Sequence, residues 1–283
     1  MKKRSIYRIT GLLFALAAAG GCAGAQWSAS NRLFDRETRR VLKAKDIVIE
    51  IPQKRLPERE RLVFNVKWMG FSVGRITTCI KDIRNINGRD AYVLEAVFDS
   101  NAFLSAIFRI EDKYISYMDV EKLYSLRQEV YRRDGKFKKD AITDFDQKNH
   151  KAHFKNLIDN SEKDFAIPEN THDVLSAYYY LMLAPVKIGE EIELSVYNNE
   201  SNYQFFGIAE SKLFISVPGA GQKQAFLIRP YVELNGRKVE KGKLKAYFSC
   251  DKRRIPLLAT LQAPVFTEVS IVLTKIDYFG ARD

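Results

Sequence analysis

From Arg61 onwards apolar and polar residues trade places along most of the chain. Leu62, Phe64, Val66 and Trp68 alternate with polar or small residues, the period of a half-buried strand. Arg75–Ile83 continues the pattern, and Ala91–Phe98 returns it after Asn87-Gly88. Asn-Gly suits a tight hairpin because both central residues take positive φ. Asp134-Gly135 is expected to do the same between Tyr124–Arg132 and Phe137–Phe145, and Asn235-Gly236 after Ala225–Glu233. Further strands are expected at Ile192–Tyr197, Tyr203–Ile208, Leu213–Val217, Lys243–Ser249, Leu257–Ala263 and Glu268–Ile276. The total is about a dozen strands, mostly antiparallel because the hairpins are local.

One stretch breaks the two-residue period. In Thr171–Ala184 the residues Val174, Leu175, Tyr178, Leu181 and Met182 recur at helical spacing, and Pro185 and Gly189 end the run. Thr171 is placed to cap it, and Asp173 to complement its dipole. A long sheet must manage its edges, and curling is the usual solution. The expected fold is mainly β: a single curved antiparallel sheet or open β-barrel, with one main covering or plugging helix at 171–184. Tyr178, Tyr179 and Tyr180 face different directions, so at least one should look towards a rim or cavity.

The N-terminus carries a different signal. Residues 1–8 are basic, Gly11–Ala19 is apolar, and small residues follow. That is the layout of a secretory signal peptide, and the apolar run is short of the ~20 residues a membrane span needs. Ala18-Ala19-Gly20-Gly21-Cys22 resembles a bacterial lipobox, whose cysteine thiol receives the lipid. The expected organisation is a signal peptide over 1–21 ending at Cys22, a tether over 22–57 and a β-barrel-like domain over 58–283. Ala23 is not aspartate, which directs such a lipoprotein to the outer membrane, facing the periplasm. The alternative is cleavage after Ala25, giving a soluble periplasmic chain.

Charge adds little. The net charge is +11; without Lys2, Lys3, Arg4 and Arg8 the 46 basic residues fall to 42 against 35 acidic ones, a net +7. A solvated basic surface is the plain reading, attraction to anionic lipid or glycan is the alternative, and nucleic acid is a poor third for a chain expected to be exported. With Cys22 lipidated, Cys79 and Cys250 remain, and an oxidising periplasm permits a disulfide between them.

Candidate chemistry is sparse. His150 and His153 point to opposite faces on a strand, and no third ligand is near, so no metal is expected. Asp144 and Asp146 share a face on a strand, whereas Glu111 and Asp112 diverge; an ion pair with Arg109, Arg253 or Arg254 is the plain reading. Arg132, Arg133, Lys136, Lys138 and Lys139 cluster at one hairpin tip, either as a solvated tip or in contact with phosphate or lipid headgroups. No serine sits in a nucleophile elbow and no glycine-rich phosphate loop is present, so neither a catalytic residue nor a cofactor is assigned.

Five motifs occur in order: Trp68-Met-Gly-Phe-Ser-Val-Gly, Asn101-Ala-Phe-Leu-Ser, Arg109-Ile-Glu-Asp, Asp173-Val-Leu-Ser-Ala-Tyr-Tyr and Asp251-Lys-Arg-Arg-Ile-Pro. Together they resemble the bacterial exported-protein family known as domain of unknown function 3108, over about Glu58 to Tyr278. The resemblance implies an exported, β-rich domain and lends no catalytic residues. The expected function is a non-enzymatic binding or carrier domain for an apolar or lipid-like ligand, held to the membrane through Cys22. The expected ligand-binding residues are Tyr178, Tyr179, Phe103, Leu104 and Trp68. The alternatives are an envelope scaffold acting through protein contacts and a glycan or lipid hydrolase.

Overall fold

The computed structural model describes residues 48–218, 221–239, 243–263 and 267–279. The signal segment, Cys22, the Ala25 site and the tether up to residue 47 lie outside the described residues. The rest forms one sheet of sixteen strands that curls without closing.

The first half is an antiparallel meander: β1 (Glu60–Trp68), β2 (Phe71–Ile86), β3 (Arg89–Ser100), β4 (Ile110–Asp119), β5 (Ser125–Asp134), β6 (Phe137–Asp146), β7 (Lys151–Asn156) and β8 (Glu162–Ala166). A four-residue helix, α1 (Ala102–Ser105), joins β3 to β4. The second half comprises β9 (His172–Asp173), α2 (Val174–Leu183), β10 (Glu191–Asn198), β11 (Ser201–Val217), β12 (Gly221–Leu234), β13 (Arg237–Lys238), β14 (Lys243–Ser249), β15 (Pro256–Ala263) and β16 (Thr267–Tyr278). Strand β16 returns to pair with β1, joining the halves. The free edges are β8 and the two-residue β9.

Turn chemistry set the meander. Asn87 and Gly88 take φ of 52° and 84°, and Asn235 and Gly236 take 52° and 70°. The β5–β6 tip differs from expectation. Asp134 pairs with Phe137, so the two-residue loop is Gly135-Lys136, with positive φ at Gly135 alone. Its glycine is needed for space as well, since a Cβ there would lie 2.7 Å from the Phe108 ring. The stretches 203–208 and 213–217 are one strand, β11, interrupted by a bulge between Ala209 and Ser211.

That bulge explains how the sheet rolls in on itself. Before it, Tyr203, Phe205 and Ala209 face the helix; after it, Leu213, Ile215 and Val217 face the cluster lined by β1, β2, β15 and β16. An inserted residue reverses which side chains point to which face. Strand β12 consequently buries four consecutive residues: Ala225 and Leu227 on one face, Phe226 and Ile228 on the other.

Helix α2 occupies the space between the two halves. Leu175, Tyr179, Met182 and Leu183 pack on Ile80, Tyr92, Leu94 and Met118, while Ala177 and Leu181 pack on Leu194, Val196, Phe205 and Phe226. A helix walled on both sides is apolar all round. The three tyrosines follow from this. Tyr178 and Tyr179 join the first cluster and Tyr180 packs against the second, so none is turned out to an open cavity. The helix ends at Leu183 because Ala184 precedes Pro185 and takes an extended conformation, φ −65° and ψ 138°.

Cys79 and Cys250 are both buried free thiols, and the disulfide allowed by the sequence is absent. Alternation along β2 places Cys79 opposite the inward Thr78 and Ile80, under Glu95, whereas Cys250 packs inside with Phe226 and Phe248. Side chains on opposite faces cannot meet.

A seam in the sheet as the candidate functional site

Where β8 and β10 do not pair, side chains bridge the gap between β8 and the β10–β11 hairpin. Asn202 Nδ2 donates to the Ala166 carbonyl at 2.7 Å, and Lys163 lies 3.9 Å from Glu200. Tyr197 meets Phe145 edge-on at 5.4 Å and Phe165 at 5.9 Å. Beside this seam is a small cavity of about 20 Å³, lined among others by Tyr114, Arg132, Lys139, Tyr197, Asn198 and Glu200. That volume holds about one water.

The cavity mixes apolar side chains such as Val130, Ala141 and Phe154 with charges of both signs, Arg132 and Lys139 against Glu200. Arg132 is neutralised: it bonds Asp112 at 3.3 Å and also Asp134, and its guanidinium lies 5.2 Å from the Phe137 ring centroid. Burial and the Asp134 charge push Asp112 up to about 7. Lys139 has no such partner. Its Nζ is 3.4 Å from Asn199 Oδ1 and 5.4 Å from the Phe154 ring centroid, and no carboxylate reaches ion-pair distance among the described residues. Desolvation holds its ammonium below the usual lysine range, against partial compensation from the Glu200 carboxylate that lines the same cavity. Asn198 Nδ2 is buried without an acceptor. The turn above is tense, with Asn199 and Glu200 at φ 45° and 61°. The cavity thus brings together a half-buried cation, a spare amide donor and one carboxylate, Glu200.

The other basic residues of that hairpin separate. Arg133 forks onto Asp140 at 2.6 and 2.9 Å, and Lys136 and Lys138 face solvent. The sequence placed Arg132 and Lys139 on a tip; strand alternation turns them inward. Their meeting with Asn198–Glu200 is a tertiary contact that no local pattern signals.

The remaining candidates disperse. Tyr178 and Tyr179 belong to the cluster on β2–β4, Trp68 and Leu104 pack against the cluster on β1 and β16, and Phe103 is exposed. These five residues therefore do not line one mouth. Of the four carboxylates, Asp144 pairs with Arg127 at 2.6 Å, Asp146 holds Asn149, Glu111 pairs with Arg109 at 2.5 Å, and Asp112 turns inward to Arg132. They do not converge. His153, on β7, bonds Asp164 at 2.7 Å and is exposed, while His150 sits in the preceding turn.

A second polar cluster has the composition of a catalytic triad and a different job. Asp173 Oδ1 accepts from the N–H groups of Leu175 and Ser176 at 2.8 and 3.0 Å, and its Oδ2 accepts from Ser116 and Ser125 at 2.5 and 2.7 Å. The Ser176 hydroxyl is 3.4 Å from His172 Nδ1. All six residues are buried. Asp173, rather than Thr171, is the N-cap of α2, and Thr171 Oγ1 donates to the Pro168 carbonyl instead. Burial drives His172 down to about 4 and raises Asp173.

The family model described as "protein of unknown function (DUF3108)" matches residues 63–270. The chain belongs to the DUF3108 family. No curated protein matches. Among solved structures, a β-barrel-like protein of domain of unknown function DUF1849 from Brucella abortus superposes with a TM-score of 0.50 at 7% identity. That alignment covers 78% of this chain and 98% of the other. A candidate lipoprotein from Parabacteroides distasonis gives 0.35 at 8% identity over 82% and 100% of the two chains. A candidate exported protein of YmcC-like fold from Bacteroides fragilis gives 0.32 at 11% over 81% and 99%. The first likeness supports the barrel-like fold alone.

The five motifs by which this chain resembles other DUF3108 proteins all have structural work in it. Met69 and Gly70 form the β1–β2 turn at φ 53° and 85°, and Gly74 lets Asp99 and Phe98 approach. Asn101 caps α1 through Leu104 N–H and donates to the Ser72 carbonyl at 2.7 Å. Asp112 holds Arg132, and Asp173 caps α2. Arg254, itself buried, donates to the Ala184 carbonyl at the other end of α2 and to the Glu50 carbonyl at 3.1 Å. The central helix is thus fastened at both termini.

Proposed function

We propose that this DUF3108 chain is an envelope lipoprotein, exported and anchored through Cys22 in the outer membrane facing the periplasm, that binds the anionic group of a lipid-like ligand rather than transforming a substrate. The observation that carries this reading is Lys139, a partly desolvated cation in the seam cavity with no carboxylate at ion-pair distance among the described residues and only the longer-range charge of Glu200 beside it. Partly burying a charge that has no directly paired counter-ion is costly, and an incoming phosphate or carboxylate offsets that cost. Two further observations support it. The helix and its clusters fill the space between the sheet halves, which favours a ligand held at the seam over one threaded through the middle. The cavity holds only about one water, so the anionic group would be met at its mouth by Lys139 and the apolar part would stay outside.

The test is a titration of the mature chain with a short-chain phosphatidylglycerol and its phosphatidylcholine counterpart, followed by amide chemical shifts. The anionic lipid is expected to shift Lys139, Asn198 and Asn199, and Lys139→Ala to weaken binding roughly ten-fold. Equal response to both lipids, or none near the seam, overturns the reading. The anchor is tested separately. Cys22→Ser is expected to move the protein out of the membrane fraction; unchanged fractionation contradicts lipidation.

A further inference from the structure

Hairpin tips are normally polar, because turn residues are chosen for backbone geometry and solvation. On one side of this sheet exposed apolar residues sit at or beside them. In an antiparallel meander the connections after β1, β3, β5 and β7 all fall on one edge of the sheet. Along that edge Phe71 is 69% exposed, Phe103 58%, Ile107 71%, Phe137 41% and Ile158 54%. The first three connections are tied into one rim. Asn101 N–H donates to the Val73 carbonyl at 2.9 Å, joining α1 to β2, and Gly135 N–H donates to the Arg109 carbonyl at 2.9 Å, joining the α1–β4 connection to the β5–β6 tip. The tip itself reads Lys136-Phe137-Lys138, with all three side chains exposed.

We infer that this rim is a membrane-docking surface, inserting Phe71, Phe103, Ile107 and Phe137 into the interfacial layer of an anionic bilayer with Lys136 and Lys138 at the phosphates. The chemistry chooses the occupant. Aromatic and aliphatic side chains beside lysines match an interface that is apolar below and negative at its surface. They stand on separate tips, which a fluid bilayer accommodates without a complementary partner surface. Phe71, Phe103 and Ile107 project into solvent, and Phe137, whose ring lies over Arg132, presents its outer side, so each is available without unfolding any strand. This inference is independent of the seam, whose Lys139 points inward from the same hairpin.

The test uses the unlipidated mature chain from Gln26, so that no acyl chain contributes. Ile107→Cys takes a polarity-sensitive fluorophore, because Cys79 and Cys250 are buried. With phosphatidylglycerol vesicles at low salt the chain is expected to float and the label to shift to the blue, both less so with phosphatidylcholine or high salt. Phe71→Asp/Phe103→Asp is expected to lower the floated fraction roughly ten-fold while the circular dichroism spectrum stays unchanged. Lys139→Ala is expected to float like the parent chain, which separates failure of the rim from failure of the seam. Equal flotation of parent and Phe71→Asp/Phe103→Asp overturns the inference. So does a label that remains aqueous on vesicles, or one that shifts without vesicles as copies associate.

Discussion

At the scale of single residues, buried charges govern the response to pH. Asp112 is held above the ordinary carboxylate range, at about 7, by burial and by Asp134. The native protein therefore keeps a proton that the unfolded chain releases, and stability falls as pH rises from about 4 to about 7. Asp173 carries the same sign. His172, depressed to about 4, has the opposite one. The unfolded chain takes up a proton that the native protein refuses, so stability falls as pH drops from about 6.5 to about 4. The two slopes oppose each other across most of that window. Asp112→Asn retains hydrogen-bonding capacity towards Arg132 and removes only one of them. Urea unfolding between about pH 4.5 and 6.5 is expected to show stability climbing with pH more steeply in Asp112→Asn than in the parent. Parallel profiles contradict the assignment.

At the scale of elements, close backbone approach matters as much as apolar burial. A Cβ on Gly74 would lie 2.6 Å from the Asp99 carbonyl oxygen and 2.9 Å from the Phe98 ring, so β2 and β3 must separate to admit it. Gly74→Ala is expected to destabilise the fold by about 1–3 kcal/mol, read as a lower thermal midpoint; an unchanged midpoint contradicts that packing. The same elements show what the sequence could convey. Hairpins bounded by Asn-Gly were legible, because the turn dipeptide and the alternation are both local. Strand β4 was hidden, because its inward positions include the polar Asp112 and Ser116, whose partners lie on β5 and at the start of α2. Strands β7 and β8 were hidden by their shortness and charge, which suit a protected sheet edge. The split in β11 was read as a gap, since Glu210 at the bulge pairs with Arg229 at 2.7 Å across the hairpin and breaks the alternation.

At the scale of the molecule, curvature decides what is inside. The sequence pointed to a curled sheet with a helix, and that is the architecture. It also suggested a mouth formed by Tyr178, Tyr179, Phe103, Leu104 and Trp68, which the roll of the sheet distributes among separate clusters and the outer surface. Lys139 was legible only as one of five basic residues near a tip. Its isolation depends on the turn at Asn198–Glu200 closing over it, 60 residues further along the chain. The whole fold then reads as a filled barrel-like body with a polar seam and an apolar rim. The proposed binding belongs to the seam.

Native mass spectrometry of the mature chain recovered from the periplasm tests that claim most directly. The account predicts an adduct in the parent that dissociates as an anionic amphiphile and is absent from Lys139→Ala. A bare mass in the parent across growth conditions, or an adduct retained equally by Lys139→Ala, would contradict it.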